Sequence, residues 1–266
     1  MPNTRFLPLL AAFWLLIAGA CAEAAEKVIT VATPRGTTVN VLLTGDEASA
    51  SANIMLLVGG AGWLRLDPAT PGTRSRNFLA RSRVSFAMGR YLVATVDSPS
   101  DRQNKDGLDG FRMTAEHAAD LAAVASALQA LNQKPVFIVG TSRGSVSAGN
   151  AAIRIDPALV NGAVLSSTLT DKGKRPDSLK EMDMTKARMP VFFVHNSGDQ
   201  CKFTLLSSVR TVQAAMKKAG ATADLAVLAS TRADEDNPCE ALTPHGYLGI
   251  EQEAVGTILA WVKARL

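Results

Sequence analysis

The stretch Pro135-Val136-Phe137-Ile138-Val139-Gly140-Thr141-Ser142-Arg143-Gly144 joins a run of β-branched and aromatic residues to a Gly-x-Ser-x-Gly pentapeptide. Residues 135–139 read as a buried strand. Residues 144–155, rich in Ala, Ser and apolar side chains, read as a helix. Strand, Gly-x-Ser-x-Gly, helix is the context of a nucleophile elbow, a turn so tight that its flanking positions accept little but Gly. Such a turn lifts the serine hydroxyl above the sheet edge. At average Gly usage a chain of this length holds on the order of 0.1 such pentapeptides by chance. Ser142 is therefore the candidate nucleophile.

Outward from the elbow, strands and helices alternate. Upstream, residues 27–32 and 38–44 read as an antiparallel hairpin around a Pro34-Arg35-Gly36 turn. Residues 52–58 form a near-continuous apolar run ending in Gly59-Gly60-Ala61-Gly62, the pattern of a strand buried on both faces of a parallel sheet. A loop over 63–76, a helix over 77–88 and a strand over 91–96 follow, the last closed by Asp97-Ser98-Pro99. The polar segment 98–113 reads as a loop, and Thr114 caps a helix that runs to Leu131.

Downstream come a strand over 162–165, a charged excursion over 171–187 and a strand over 190–195. An amphipathic helix over 205–218, a strand over 224–228 and a terminal helix over 247–266 complete the chain. Ile250, Ile258, Trp261 and Val262 mark the inner face of that last helix. The alternation predicts an α/β fold, a mainly parallel sheet with helices on both faces. Residues 171–187 are too short for a cap domain, and no repeat or composition shift marks a second domain.

With 266 residues, 47% apolar and 20% charged, the chain suits one well-cored domain over residues 25–266. The formal net charge of +4 is carried by scattered basic residues. No Lys/Arg run interleaved with aromatics offers a nucleic-acid footprint, so no nucleic acid is expected as a partner. Residues 1–24 read as a signal peptide. Arg5 precedes an uncharged, mostly apolar run of sixteen residues, 6–21, shorter than the ~20 residues of a membrane span and interrupted by Pro8. Ala20-Cys21-Ala22 and Ala22-Glu23-Ala24 are alternative cleavage sites. Ile17-Ala18-Gly19-Ala20-Cys21 loosely resembles a lipobox, with Ala18 where that box prefers Leu, so a lipid anchor on Cys21 is the lesser alternative. An uncleaved anchor is the minority reading; every route puts the domain in the periplasm or outside the cell, and no stable membrane span is expected.

A serine hydroxyl needs a base, an orienter for that base and donors for the oxyanion. Three histidines are available. His117 sits inside a helix, and His195 ends a strand, where packing roles are expected. His245 lies in a loop between Pro244 and Gly246, able to present its ring to a cleft, and is the candidate base. The acid must lie between Ser142 and His245 if the order is Ser, acid, His. Asp199, just beyond a strand end, is the candidate; Asp171 is the runner-up, and Asp97 precedes the serine. The glycines at 59–62 do not make a dinucleotide fingerprint, because Arg65 stands at the third required position. No CxxC or HxxxH spacing offers a metal site. No cofactor and no metal are expected.

Taken together, Gly-Thr-Ser-Arg-Gly at 140–144, His-Asn-Ser-Gly-Asp at 195–199 and the late His245-Gly246 resemble the nucleophile elbow, acid loop and histidine loop of the α/β-hydrolase superfamily. The resemblance spans about residues 27–266. It implies oxyanion donors at the backbone N–H of Arg143 and of Gly60 and Ala61. Asn196 stands where the family commonly has Gly, and no aromatic-rich cap is visible.

The resemblance implies an exported, carboxylesterase-like serine hydrolase acting on a small-molecule acyl substrate. A peptidase-like or thioesterase activity on the same three residues, or a non-catalytic binding protein of the same fold, stays open. Arg143 is read either as a receiver of an anionic substrate group or as a surface ion pair. Trp63, Leu64 and Phe111, on the flanking loops, are read either as pocket walls or as core packing. With Cys21 removed or lipidated, Cys201 and Cys239 remain, two residues after the candidate acid and six before the candidate base. In an oxidising compartment these two thiols are expected to pair. Oligomeric state is unreadable from the sequence.

Overall fold

A computed structural model describes residues 26–266. The expected leader over 1–24, with Cys21, lies outside the described residues. Eight strands run in chain order as β1 (Glu26–Ala32), β2 (Thr38–Thr44), β3 (Ala52–Leu57), β4 (Tyr91–Val96), β5 (Val136–Thr141), β6 (Gly162–Ser166), β7 (Val191–Asn196) and β8 (Ala223–Leu228). They form a single sheet in the order β1-β2-β4-β3-β5-β6-β7-β8. β1 and β2 pair antiparallel as the expected hairpin, and β2 meets β4 antiparallel. Every pairing from β4 to β8 is parallel.

Helices α1 (Phe78–Arg81), α2 (Arg83–Ala87), α3 (Ala115–Asn132), α4 (Arg143–Arg154), α5 (Leu206–Lys218) and α6 (Glu251–Lys263) cover both faces. β5 shows why two cores form. Successive side chains of a strand point to opposite faces. Val136 and Ile138 therefore join Leu121, Val124 and Ala148 of α3 and α4. Phe137 and Val139 join Phe78, Phe86 and Ile258 of α1, α2 and α6. All six residues of β5 are buried, as a strand covered on both faces requires.

Two helix boundaries differ from the sequence reading. The helix expected over 77–88 is two short helices, broken at Ser82, whose φ of −95° and ψ of 4° leave the helical region. The terminal helix begins at Glu251 rather than at 247. Tyr247 (φ 60°) and Gly249 (φ 82°) are left-handed, so residues 244–246 make only a single 3-10 turn. The charged excursion over 171–187 holds two more such turns, Leu179–Glu181 and Met184–Lys186, and no cap domain. A Cβ on Gly149 of α4 would meet Leu179 and Met182, so the excursion is folded down on that helix.

The four adjacent parallel strands β3, β5, β6 and β7 all end at one edge of the sheet. The loops leaving them carry the Gly59–Gly62 stretch, the elbow, the start of the charged excursion and the Asp199 loop. In open α/β sheets this carboxyl edge is where ligands bind.

Candidate active site

Ser142 stands at the junction of β5 and α4 with φ 53° and ψ −124°, a left-handed backbone that a non-glycine residue adopts at a cost. Neighbours force this turn. A Cβ on Gly144 would collide with the Leu57 carbonyl at the end of β3, and one on Gly140 with the Gly144 carbonyl. The Ser142 N–H donates to Ser166 O at 3.0 Å, and Ser145 Oγ donates to Ser142 O at 2.5 Å. The turn is thereby fixed to β6 and to the first turn of α4, which leaves the Ser142 side chain over a cavity of about 830 Å³. Trp63, Leu64, Phe78, Leu169 and Phe203 supply apolar walls.

His245 opens onto the same cavity. Its Nδ1 lies 3.0 Å from Asp199 Oδ2, with the two side chains 5% and 0% exposed. A carboxylate on Nδ1 holds that nitrogen protonated and leaves Nε2 as the lone-pair nitrogen. Asp199 is itself anchored. Its Oδ1 accepts from the Cys201 N–H at 2.9 Å, and its Oδ2 accepts from Thr204 Oγ1 at 2.9 Å. Thr204 Oγ1 is also 3.4 Å from His245 Nδ1. Among the described residues no hydrogen bond joins Ser142 to His245; such pairs are commonly loose until a substrate tightens them.

The histidine loop is latched from three directions. Asn196 Nδ2 donates to Pro244 O at 2.9 Å, while its Oδ1 accepts from the N–H of Gly198 and of Ser230, each at 3.0 Å. The Asn that departs from the family pattern thus ties the acid loop, the end of β8 and the histidine loop together. Ser167 Oγ donates to His245 O at 2.7 Å, and Tyr247 Oη donates to Val194 O at 2.7 Å. The expected Cys201–Cys239 disulfide is formed and adds a covalent tie between the same two loops. Thr204 and the Asn196 latch are absent from the sequence reading. Their only sequence signal is closeness to Asp199.

The remaining candidates take structural places. His117 is buried in α3, where its Nε2 is 2.9 Å from Ser147 Oγ; burial, then the nearby Arg112 and Arg35, depress its pKa to about 3. Burial also lowers the His195 pKa at the end of β7. Asp97 is buried and accepts from the N–H groups of Leu64, Leu66 and Ser98 at 2.6, 2.9 and 2.8 Å. Loss of hydration raises its pKa despite those bonds. Asp171 is exposed, borders the cavity and accepts from its own Gly173 N–H.

Of the two readings of Phe111, packing holds: it is buried under the guanidinium groups of Arg35 and Arg102 and does not line the cavity. Arg143 is not at the surface. It is 8% exposed, ion-paired with Asp109, and donates from Nη1 to Gly60 O at 3.2 Å. Burial, then the nearby Arg175, lower its pKa to about 10. As the first residue of α4, Arg143 leaves its backbone N–H without an intrahelical partner. Among the described residues no acceptor meets the Ala61 N–H either. These are two of the three N–H groups expected to receive an oxyanion, and Gly60 and Ala61 both line the cavity.

No protein-family model and no curated relative matches the chain. Solved structures do. A cold-adapted esterase from an Arctic intertidal metagenomic library is 16% identical with a TM-score of 0.62, over 91% of this chain and 94% of that one. An α/β serine hydrolase without a lid from Xanthomonas campestris is 14% identical with a TM-score of 0.57, over 89% and 95%. The chain has the α/β-hydrolase fold. Dipeptidyl peptidase 4 of Porphyromonas gingivalis shares the fold at 14% identity and a TM-score of 0.59, but this chain spans only 36% of it. The α/β-hydrolase frame accounts for the juxtaposition described above, since it gathers the loops after β5, β7 and β8 at one sheet edge.

Proposed function

We propose that this α/β-hydrolase is a serine hydrolase that cleaves small-molecule esters through an acyl-enzyme. The observation that carries the reading is the Asp199–His245 contact opening onto the cavity that holds Ser142. Ser142 Oγ attacks the ester carbonyl carbon while His245 Nε2 takes its proton, and Asp199 stabilises the resulting imidazolium. The carbonyl oxygen becomes an oxyanion that accepts hydrogen bonds from the backbone N–H of Ala61 and Arg143, with Gly60 adjacent. Collapse expels the alcohol, which takes the proton from His245, and leaves Ser142 acylated. Water then attacks the acyl carbon by the same route, its proton passing to His245 and on to Ser142 Oγ.

An ester is favoured over a peptide because the likeness to esterases extends over both whole chains, whereas the peptidase carries most of its length elsewhere. On one side the cavity lining gathers Lys172, Lys174, Arg175 and Lys202, against Asp171 and Glu240 as the acids of the lining among the described residues. A substrate with a negative charge distal to the scissile bond suits that side. The disulfide agrees with action in an oxidising compartment, the periplasm or outside the cell, after loss of the leader.

A panel of p-nitrophenyl esters of rising acyl length, run beside aminoacyl anilides, tests the reading. Turnover of esters by wild type and its loss in Ser142→Ala supports it. Turnover that survives Ser142→Ala overturns it.

A further inference from the structure

The polar segment 98–113 reads as a loop, yet Arg112 near its end is 1% exposed and is the largest fully buried side chain among the described residues. All of its hydrogen bonds go to neutral oxygens. Nη1 donates to Ser147 Oγ at 2.8 Å, and Nη2 donates to Gly60 O at 3.1 Å and to Val58 O at 3.4 Å. Ser147 Oγ accepts from the guanidinium and in turn lies 2.9 Å from Nε2 of His117, whose ring burial keeps neutral. Burying a cation without a carboxylate in contact is expensive. Burial lowers the Arg112 pKa to about 10, which still leaves the group charged near neutrality.

Arg143 Nη1 donates to the same Gly60 oxygen at 3.2 Å. One carbonyl thus takes bonds from two buried guanidinium groups. Gly59–Gly62 is a β-turn, closed by Gly62 N–H to Gly59 O at 3.2 Å, with Gly60 left-handed at φ 60°. The peptide between Gly60 and Ala61 is the central one of that turn. Turn types I and II, and their mirror images, differ by a flip of this unit, which exchanges the faces of its C=O and N–H. In a trans peptide the two groups point in opposite directions. Holding Gly60 O inward therefore holds the Ala61 N–H outward.

We propose that Arg112 is a positioning residue: with Arg143 it clamps the Gly60 carbonyl, locks the Gly60–Ala61 peptide against flipping, and so fixes the Ala61 N–H as an oxyanion donor. This rests on the serine-hydrolase reading of the site. Donors on the carbonyl also polarise the peptide, which strengthens the N–H at its other end. Ser147 and His117 act one step further back by holding the guanidinium in place.

The test compares kcat and KM for a p-nitrophenyl ester, and the affinity for a trifluoromethyl ketone that forms an oxyanion on Ser142, in wild type, Arg112→Met, Arg112→Lys and Ser147→Ala. Removal of one oxyanion donor typically costs 10²–10³ in kcat, so mispositioning one should cost about 10–100-fold. Arg112→Met is expected to lose that factor in kcat and the same factor in ketone affinity, with KM within about twofold and partial recovery in Arg112→Lys. Should Arg112→Met fail to fold, Ser147→Ala carries the test, with a smaller loss split the same way. A folded Arg112→Met, or in its place Ser147→Ala, with wild-type kcat and ketone affinity overturns the clamp. So does a loss that tracks thermal stability while ketone affinity stays constant. A wild-type protein that turns over no ester and takes no fluorophosphonate on Ser142 overturns the hydrolase reading, and the clamp with it.

Discussion

Asp199 Oδ2 and His245 Nδ1, 46 residues apart in the chain, meet at 3.0 Å with neither side chain more than 5% exposed. Replacing Asp199 by Asn keeps the size of the side chain but favours the wrong imidazole tautomer. A drop in kcat of roughly 10³–10⁴ with little change in KM or melting temperature is expected. Asp171→Asn, at the exposed runner-up position, should leave kcat within about twofold. Steady-state kinetics on the two variants decide between these carboxylates.

The Cys201–Cys239 bond closes a loop of sequence separation 38 beside that contact. In the chain-entropy model its removal costs about 3–4 kcal/mol. The double variant Cys201→Ala/Cys239→Ala should melt about 6–16 °C lower than wild type. Because Cys201 N–H also holds Asp199 Oδ1, kcat should fall as well. Calorimetry that finds equal melting temperatures would show that the loops are held without the bond.

Buried His117 gives stability a defined pH dependence. Its pKa is about 3 in the fold against an ordinary 6.5, so the unfolded chain binds a proton that the folded chain refuses. The stability carried by the neutral ring is complete above pH 6.5 and is lost as pH falls from 6.5 toward 3, by up to about 1.4 kcal/mol per pH unit. His195, also lowered by burial, adds in the same sense. Urea midpoints between pH 7 and pH 4.5 should fall more steeply for wild type than for His117→Asn. Equal slopes would contradict the assignment of a neutral His117.

On the cationic side of the cavity Lys172 pairs with Glu181 and Arg175 with Asp109, and among the described residues Lys174 and Lys202 form no ion pair. A p-nitrophenyl hemiglutarate should therefore have a higher kcat/KM than the neutral valerate at low salt. Lys174→Ala/Lys202→Ala should reduce that preference by several-fold to about tenfold, and salt should reduce it in wild type. A preference unchanged in the double variant would show that these lysines are only solvated.

The fold was legible because its central strands are apolar runs of the right length. Residues 52–58 and 135–139 can be buried only between two layers, and the Gly-x-Ser-x-Gly between strand and helix fixes where the chain turns. The break at Ser82 was not legible, since the residues on either side keep a helical pattern and tertiary packing decides. For the site, Ser142 and Asp199 were each placed at or just beyond a strand end by local pattern, His245 was chosen in its loop by elimination among three histidines, and the disulfide followed from the cysteine count and the nearness of those loops. The roles of Asn196, Thr204 and Arg112 were not legible because they depend on partners 48, 41 and 52 residues away; Asn196 stood out only as a departure from the resembled pattern, and Thr204 only by its closeness to Asp199.

The central claim is that Ser142 is a nucleophile activated by His245. Intact and peptide mass spectrometry after treatment with a fluorophosphonate tests it most directly. A single adduct on Ser142 in wild type, none in Ser142→Ala and labelling slowed by orders of magnitude in His245→Ala is the predicted result. Wild-type protein that stays unlabelled, or labels equally well in Ser142→Ala, would contradict it.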